Sequence, residues 1–272
     1  MDRSGGTREE PVEGGERRPN EKHSNRCRVS AAQLTAATVT VVLAGLLSLP
    51  AFAASSGTVH RQPPPTQAPS VAVAAFDTTA TISGTAWFRS MYKRGFRLYV
   101  MHSTAWGSCL PWSQTQAQLG AALSVGLKIA VYTRDPRCFE GGIQAAGPYL
   151  SHLQFFALDV ETDPGIAVTR AMVNGITALG VRPVIYTGSG MWSEVQGGNT
   201  ASFADVPLWD TAVSGNVDLS TWTPNLAAPA PVAYGGWNTP ANPRVMVQQA
   251  FNVSVNGVAV DLDSVSAAFL TR

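Results

Sequence analysis

Short runs rich in Val, Ile, Tyr and Phe recur along the chain from Val71 onward, separated by helix-compatible or Gly-rich stretches. This alternation is expected of parallel strands joined by crossovers. The runs are Val71 to Asp77, Arg97 to His102, Lys128 to Thr133, Phe155 to Glu161, Pro183 to Thr187, Pro207 to Ala212, Arg244 to Phe251 and Val258 to Leu262. Together they predict a barrel. Helix candidates stand between the early runs, at Thr85 to Arg94, Ser113 to Val125, Gly142 to Leu150 and Thr169 to Leu179. Gly95, Gly126 and Gly180 close three of them, where a left-handed residue ends a helix without steric cost. The pattern reads as four βα units.

Past Tyr186 the character changes. Residues 213 to 243 are rich in Gly, Pro, Asn and Ser, and Asn256-Gly257 sits between alternating Val253, Val255, Val258 and Val260. Asn-Gly flanked by alternating apolar residues is the strongest short hairpin signal, so the last strands are expected to be antiparallel. The segment from residue 73 to 272 is lean beside the roughly 250 residues of a full eightfold βα barrel. The expectation is an α/β, irregular TIM-like barrel, regular in its first half and without helices in its second.

The N-terminal quarter of the sequence reads differently. Residues 1–28 are polar, Gly-rich and mixed in charge, a composition that cannot offset the entropy of ordering. Residues 29–54 carry no charge and end in Pro50-Ala-Phe-Ala53, with Lys22, Arg26 and Arg28 just before them. This is the pattern of a signal peptide or signal anchor that places the following chain across the membrane. Residues 55–72, including Arg61-Gln-Pro-Pro-Pro65, read as an extended linker. The domain is therefore expected to be secreted or held at the cell surface, with membrane contact only through residues 29–54 if they are not cleaved. Of three cysteines, Cys109 and Cys138 then share an oxidising space, where they can pair; two buried thiols are the alternative.

Composition narrows the partners. Nineteen Lys and Arg against eighteen Asp and Glu leave a net charge of +1, too weak a field to hold nucleic acid. No nucleotide-binding loop, His-Glu-x-x-His or nucleophile-elbow motif occurs, so no cofactor and no metal is expected. Of the His residues, His102 and His152 lie in the domain body and read as structural.

Acids carry the remaining signal. Alternate side chains on a strand share a face, so Asp159 and Glu161 are expected to project side by side, about 7 Å apart. An isolated Asp-x-Glu has a plainer reading, a helix-capping Asp and a solvent-facing Glu. Here Asp77 ends the first run and Asp261 and Asp263 stand in the last. First and last strands of a closed barrel are neighbours, so Asp77, Asp159, Glu161 and Asp261 are expected to converge at the mouth. Clustered carboxyls raise one another's proton affinity, leaving one protonated as a donor to a leaving oxygen. Glycosidic cleavage uses such a pair. Aromatics able to stack on sugar rings are expected in the strand-end loops: Trp106, Trp112, Tyr132, Tyr186, Trp192, Trp209, Tyr234 and Trp237.

The order of these segments resembles the glycoside hydrolase family 25 lysozymes, or Chalaropsis-type muramidases, and a related group of glycoside-hydrolase-like barrel domains. The resemblance runs through Phe76-Asp77, Ser103-Thr-Ala-Trp-Gly107, Leu158-Asp-Val-Glu161, Val184-Ile-Tyr-Thr187, Pro207-Leu-Trp-Asp210, Gly235-Gly-Trp237, Val247-Gln248 and Val260-Asp-Leu-Asp263. It implies five βα units followed by three strands, and cleavage of the β-1,4 bond between N-acetylmuramic acid and N-acetylglucosamine in peptidoglycan. Carried over by position, Glu161 is the general acid and Asp159 its companion, with Asp77 and Asp261 completing an acidic floor. Tyr132, Tyr186, Trp209 and Gln248 fall where substrate contacts are expected. Two segments depart from the family: Ala130-Val-Tyr-Thr-Arg134 keeps only Tyr132 of a Gly-x-Tyr-His-Phe strand, and Val247-Gln248 replaces a Trp-Gln pair. The expected protein is a monomeric peptidoglycan hydrolase; the alternative is a catalytically silent wall-binding or surface module on the same barrel.

Overall fold

The computed structural model describes residues 71–270, apart from Ser214 and Asn216. Expectations for residues 1–28, for the signal segment 29–54 and for the linker up to residue 70 lie outside the described residues. No helix among the described residues is long and apolar enough to cross a membrane.

Eight strands close into a barrel in chain order: β1 (Ala72–Thr78), β2 (Phe96–His102), β3 (Lys128–Thr133), β4 (Leu153–Asp159), β5 (Pro183–Thr187), β6 (Leu208–Thr211), β7 (Met246–Val255) and β8 (Val258–Ser266). Neighbours from β1 through β7 pair in parallel. Strand β8 runs antiparallel to both β7 and β1 and closes the ring. A helix follows each of the first five strands: α1 (Thr85–Lys93), α2 (Thr115–Ser124), α3 (Phe139–Gln144), α4 (Arg170–Ala178) and α5 (Ser189–Val195). The irregular barrel of five βα units and three further strands is borne out.

Strand alternation divides the core in two. Phe155 and Ala157 of β4 join Ala75, Val100, Ala130, Val184 and Trp209 in one buried cluster, inside the barrel. Their chain neighbours Phe156 and Leu158 join Phe76, Tyr99, Val131 and Ile185 in a second cluster, with Phe88, Leu119, Ile176 and Trp192 from the helices. Each fully buried side chain of this size contributes about 1.5–3 kcal/mol of burial energy. The inward alternation carries upward to Asp77, Tyr132 and Asp159, so the barrel interior is apolar below and acidic at its C-terminal rim. Leu270 belongs to the inner cluster and Phe269 packs on it, so the turn Ala267–Leu270 plugs the other end.

Several element bounds differ from the expected ones for identifiable reasons. The helix expected at Gly142 to Leu150 is α3 followed by a separate 3-10 turn, Gly147–His152. Gly147 has φ 53°, and Pro148 follows it, which interrupts the helical ladder. Helix α5 completes the fifth βα unit that the family resemblance implies, but local pattern did not mark it, because Ser189 and Gly190 are weak helix formers. It is held by Trp192, which is fully buried and donates from Nε1 to the Thr200 carbonyl at 3.1 Å. Strand β4 ends at Asp159, two residues before the expected end.

The terminal hairpin turns at Asn256 and Gly257, both with positive φ (50° and 78°), as a type I′ turn requires. Strand β7 is irregular: its register against β8 shifts between Gln248 and Ala250 and again between Ala250 and Val253. Asn252 lies in this bulge with φ 54°. The long segment between β6 and β7 is tied down by a buried ion pair, Arg244 Nη1 to Asp210 Oδ2 at 2.8 Å.

Candidate active site

An open cleft of about 520 Å³, solvent at its mouth included, sits at the C-terminal rim of the barrel. Its lining contains Asp77, Asp159, Glu161 and Asp261 together with Tyr132, Tyr186, Trp209 and Gln248. All eight were singled out in the sequence; seven come from seven different strands, and Glu161 lies just past the end of β4. Thr79, Trp106, Arg134 and Phe251 complete the lining.

Each acid is placed by a local feature. Asp77 on β1 pairs across the sheet with Asp261 on β8. Asp159 is the last residue of β4 and is paired with Tyr186 of β5. Glu161 lies past the strand, yet the Val160 N–H still donates to the Tyr186 carbonyl at 2.9 Å, and Thr187 Oγ1 donates to the Val160 carbonyl at 2.8 Å. These bonds continue the ladder and hold Glu161 at the rim. The bulge in β7 turns the Asn252 N–H onto Asp261 Oδ1 at 2.7 Å.

A polar network joins the floor. Tyr186 Oη donates to Gln248 Oε1 at 2.6 Å, and Gln248 Nε2 donates to Asp77 Oδ1 at 2.8 Å and Asp261 Oδ2 at 3.1 Å. Beneath it, the fully buried Asp263 accepts from Trp209 Nε1 at 2.9 Å. Asp263 Oδ2 finds no N–H or O–H donor, so its contact with the Asp77 carboxyl is a hydrogen bond when one of the two carries a proton.

Burial, and then the charge of Asp261, push the Asp77 carboxyl well above the usual carboxylate range. Asp159 is pushed well up by burial and by the neighbouring Glu161, and Asp263 by burial and by Asp77. Glu161 is raised by burial, with Arg134 opposing and Asp163 and Asp261 adding to the rise. Burial also raises Asp261, opposed by the Asn252 N–H.

The carboxyls differ in what already occupies them. Asp77, Asp159 and Asp263 are at most 6% exposed, whereas Glu161 and Asp261 open to the cleft. Both oxygens of Asp261 accept protein hydrogen bonds. Glu161 makes no side-chain hydrogen bond within the described residues. Asp159 Oδ1, adjacent to it, is buried and has no partner. The site thus presents one free, accessible carboxyl of raised proton affinity beside a buried carboxyl with an unused oxygen.

Four of the aromatic readings are corrected. Trp192, Tyr234 and Trp237, expected among sugar-stacking aromatics, are buried in the outer core, and Trp112 packs against it. Tyr234 Oη donates instead to Asp210 Oδ1 at 2.7 Å, beside the Arg244 ion pair. His102 is wedged between Trp106 and Tyr132, both at 5.4 Å between ring centroids, and burial followed by the charge of Arg134 pushes its pKa down to about 4. Cys109 and Cys138 are joined by a disulfide. Arg134 and Phe251 were missed as lining residues. The signal for Arg134 was its i+2 spacing from the inward Tyr132; Phe251 reaches the mouth through the irregular part of β7, which no local pattern announces.

No protein-family model and no curated protein matches the chain. Among solved structures, a bacterial lysozyme from Streptomyces coelicolor aligns at TM-score 0.51 and 19% identity, over 73% of this chain and 94% of that one. A muramidase from Trichobolus zukalii aligns at TM-score 0.49 and 20% identity, over 72% of this chain and 94% of that one. A family GH25 lysozyme from Aspergillus fumigatus aligns at 0.48 and 19%, over 72% and 95%. The Streptomyces coelicolor likeness, at this identity, establishes architecture alone: the chain has the irregular barrel fold of that bacterial lysozyme.

Proposed function

We propose that the domain is a glycoside hydrolase of the peptidoglycan layer, cleaving the β-1,4 bond between N-acetylmuramic acid and N-acetylglucosamine, with Glu161 as general acid. The observation that carries this reading is the contrast between Glu161 and the other acids. A proton donor must be protonated near neutral pH and must reach the leaving oxygen. Burial shifts the proton affinity of Glu161 in the direction a proton donor needs, and its carboxyl is open to the cleft and unengaged. Asp261 is captured by two donors, and Asp77 and Asp263 are sealed beneath Gln248.

In this reading Glu161 protonates the glycosidic oxygen as the C–O bond breaks. Asp159 offers its unpaired oxygen to an acetamido N–H or to the reacting water. Asp77 and Asp261, bridged by Gln248, form the floor of the cleft beneath the reacting sugar. Tyr132, half-buried at the rim, supplies ring surface on which a sugar packs, whereas Trp209 and Tyr186, at 2% and 7% exposure, close the floor beneath it rather than offering a face for stacking. The lysozyme fold, the disulfide and the leader-like residues 29–54 support an extracytoplasmic place of action.

Turbidity clearing of purified cell walls by wild type and Glu161→Gln tests the proposal. Wild type is expected to clear and the variant to lose activity by two or more orders of magnitude. Equal clearing would rule Glu161 out as the acid. Wall binding without clearing by wild type would leave the barrel as a silent glycan-binding module.

A further inference from the structure

Among the described residues Arg134 is the one cation lining the cleft, near Glu161 and Asp159, whose rise in proton affinity its charge opposes. Its guanidinium lies 4.7 Å over the Trp106 ring and is pinned from one side by Asp163. Nε and Nη2 donate to the Asp163 carbonyl at 3.1 and 2.8 Å, and Nη2 also reaches Asp163 Oδ2 at 2.8 Å. Nη1 has no protein partner among the described residues. Trp106 is 63% exposed, an unusual state for a Trp whose ring lines a cleft.

The pair is built rather than incidental. Trp106 lies in the loop after β2, which folds back on itself through the Ala105 N–H to the Leu110 carbonyl at 2.8 Å and a bridge between Thr104 and Pro111. Arg134 follows β3 on a different loop. The Cys109–Cys138 disulfide ties the two loops together, with Cα atoms 4.7 Å apart. Gly141 allows the close approach: a Cβ there would meet the Cys109 carbonyl oxygen at 2.4 Å. The disulfide, the cation–π contact and Asp163 therefore hold an aromatic face and a guanidinium edge in fixed relation before any ligand arrives, which lowers the ordering cost of binding.

Resting on the hydrolase reading above, the geometry points to Trp106 and Arg134 as a subsite that takes a carboxylate-bearing sugar, the ring against Trp106 and the carboxylate on Arg134 Nη1. A guanidinium is suited to carboxylates because its N–H groups match their geometry. Asp163 does not pre-empt the charge. Its side chain is 88% exposed, so water screens much of the attraction between them. The field of the acidic floor is also muted, because burial favours the neutral forms of Asp77, Asp159 and Asp263. The carboxylate has two possible sources of the same chemistry, a lactyl ether on the sugar or the terminus of a peptide attached to it.

Binding, measured by calorimetry on the full chain carrying Glu161→Gln, separates these outcomes from catalysis. The probes are oligomers of equal length: neutral N-acetylglucosamine, alternating N-acetylmuramic acid with free lactyl carboxylates, the same with those carboxylates amidated, and a peptide-bearing form. The free-lactyl oligomer is expected to bind about tenfold tighter than the neutral and amidated ones, equivalent to about 1.4 kcal/mol. Adding Arg134→Gln should bring that ratio close to one, while Arg134→Lys should retain part of it. A preference that appears only with the peptide-bearing oligomer assigns the subsite to the peptide carboxylate. Equal affinity for all four, or a preference that survives Arg134→Gln, overturns the subsite and leaves the hydrolase reading standing. If no oligomer binds at all, the hydrolase reading itself fails and takes the subsite with it.

Discussion

Asp77 and Asp261 face each other across β1 and β8 and share a single donor, the Gln248 amide, at 2.8 and 3.1 Å. The amide compensates for the proximity of two carboxyls that would otherwise repel. Replacing Gln248 by Leu removes the shared donor and leaves buried acceptors and the Tyr186 hydroxyl unsatisfied. A loss of about 1–3 kcal/mol in folding free energy is expected, read from urea unfolding at neutral pH. Gln248→Glu, adding a third carboxyl, should cost more, and its deficit should shrink in acid.

Folding stability should fall as pH rises through neutrality. Asp77, Asp159 and Asp263 bind protons more tightly folded than unfolded, so below the unfolded carboxylate range their contribution is fully present. It is lost as pH climbs toward their raised folded values. Thermal melts from pH 5 to pH 8 should show a declining Tm. Asp263→Asn, which keeps an acceptor for Trp209 Nε1, should flatten that slope and raise Tm at the alkaline end. A Tm that climbs steadily over this interval would contradict burial as the dominant cause.

The alkaline limb of activity should report Glu161. A general acid with a raised pKa works below that pKa and fails above it. Arg134 opposes the rise in Glu161, so Arg134→Gln should move the alkaline limb of kcat/KM to higher pH. No displacement of the limb would mean that another group governs it.

The disulfide spans 29 residues of sequence separation, and chain-entropy arguments give a cross-link of that span about 3–4 kcal/mol. The double variant Cys109→Ser, Cys138→Ser should lose roughly this amount in denaturant unfolding. Because the bond joins the loops bearing Trp106 and Arg134, the variant should also show faster proteolysis of both.

Arg244 and Asp210 form an ion pair at 2% and 5% side-chain exposure. Arg244→Met leaves a buried Asp210 facing Tyr234 and Asn238 and is expected to cost about 3–5 kcal/mol by equilibrium unfolding. Pairing it with Asp210→Asn should recover part of the loss, since the remaining polar group is neutral.

Much of the barrel was legible because strands announce themselves through local periodicity. Lys128–Thr133 and Pro183–Thr187 have the expected bounds, and Asn256-Gly257 foretold the hairpin. The inward alternation that buries Phe155 and Ala157 also aims Asp159 at the rim, so the acids were readable along with the strands. Helix α5 was hidden because Gly188, Ser189 and Gly190 disfavour helix locally, and burial of Trp192 overrides them. Trp192 and Trp237 were read toward the site because composition does not distinguish an aromatic in a loop from one folded beneath it.

By itself the sequence determined the alternation that builds the barrel, the placing of Asp77, Asp159 and Asp261 near strand ends, and the turn between the last strands. Tertiary structure decided how those acids differ. Gln248 and Asn252 capture Asp261, Asp263 lies sealed under Asp77, and Glu161 alone is left open and unpaired in the cleft. Periodicity is a property of neighbours along the chain. Protonation and pairing depend on burial and on partners brought together from β1, β4, β7 and β8, a relation that exists only once the barrel closes.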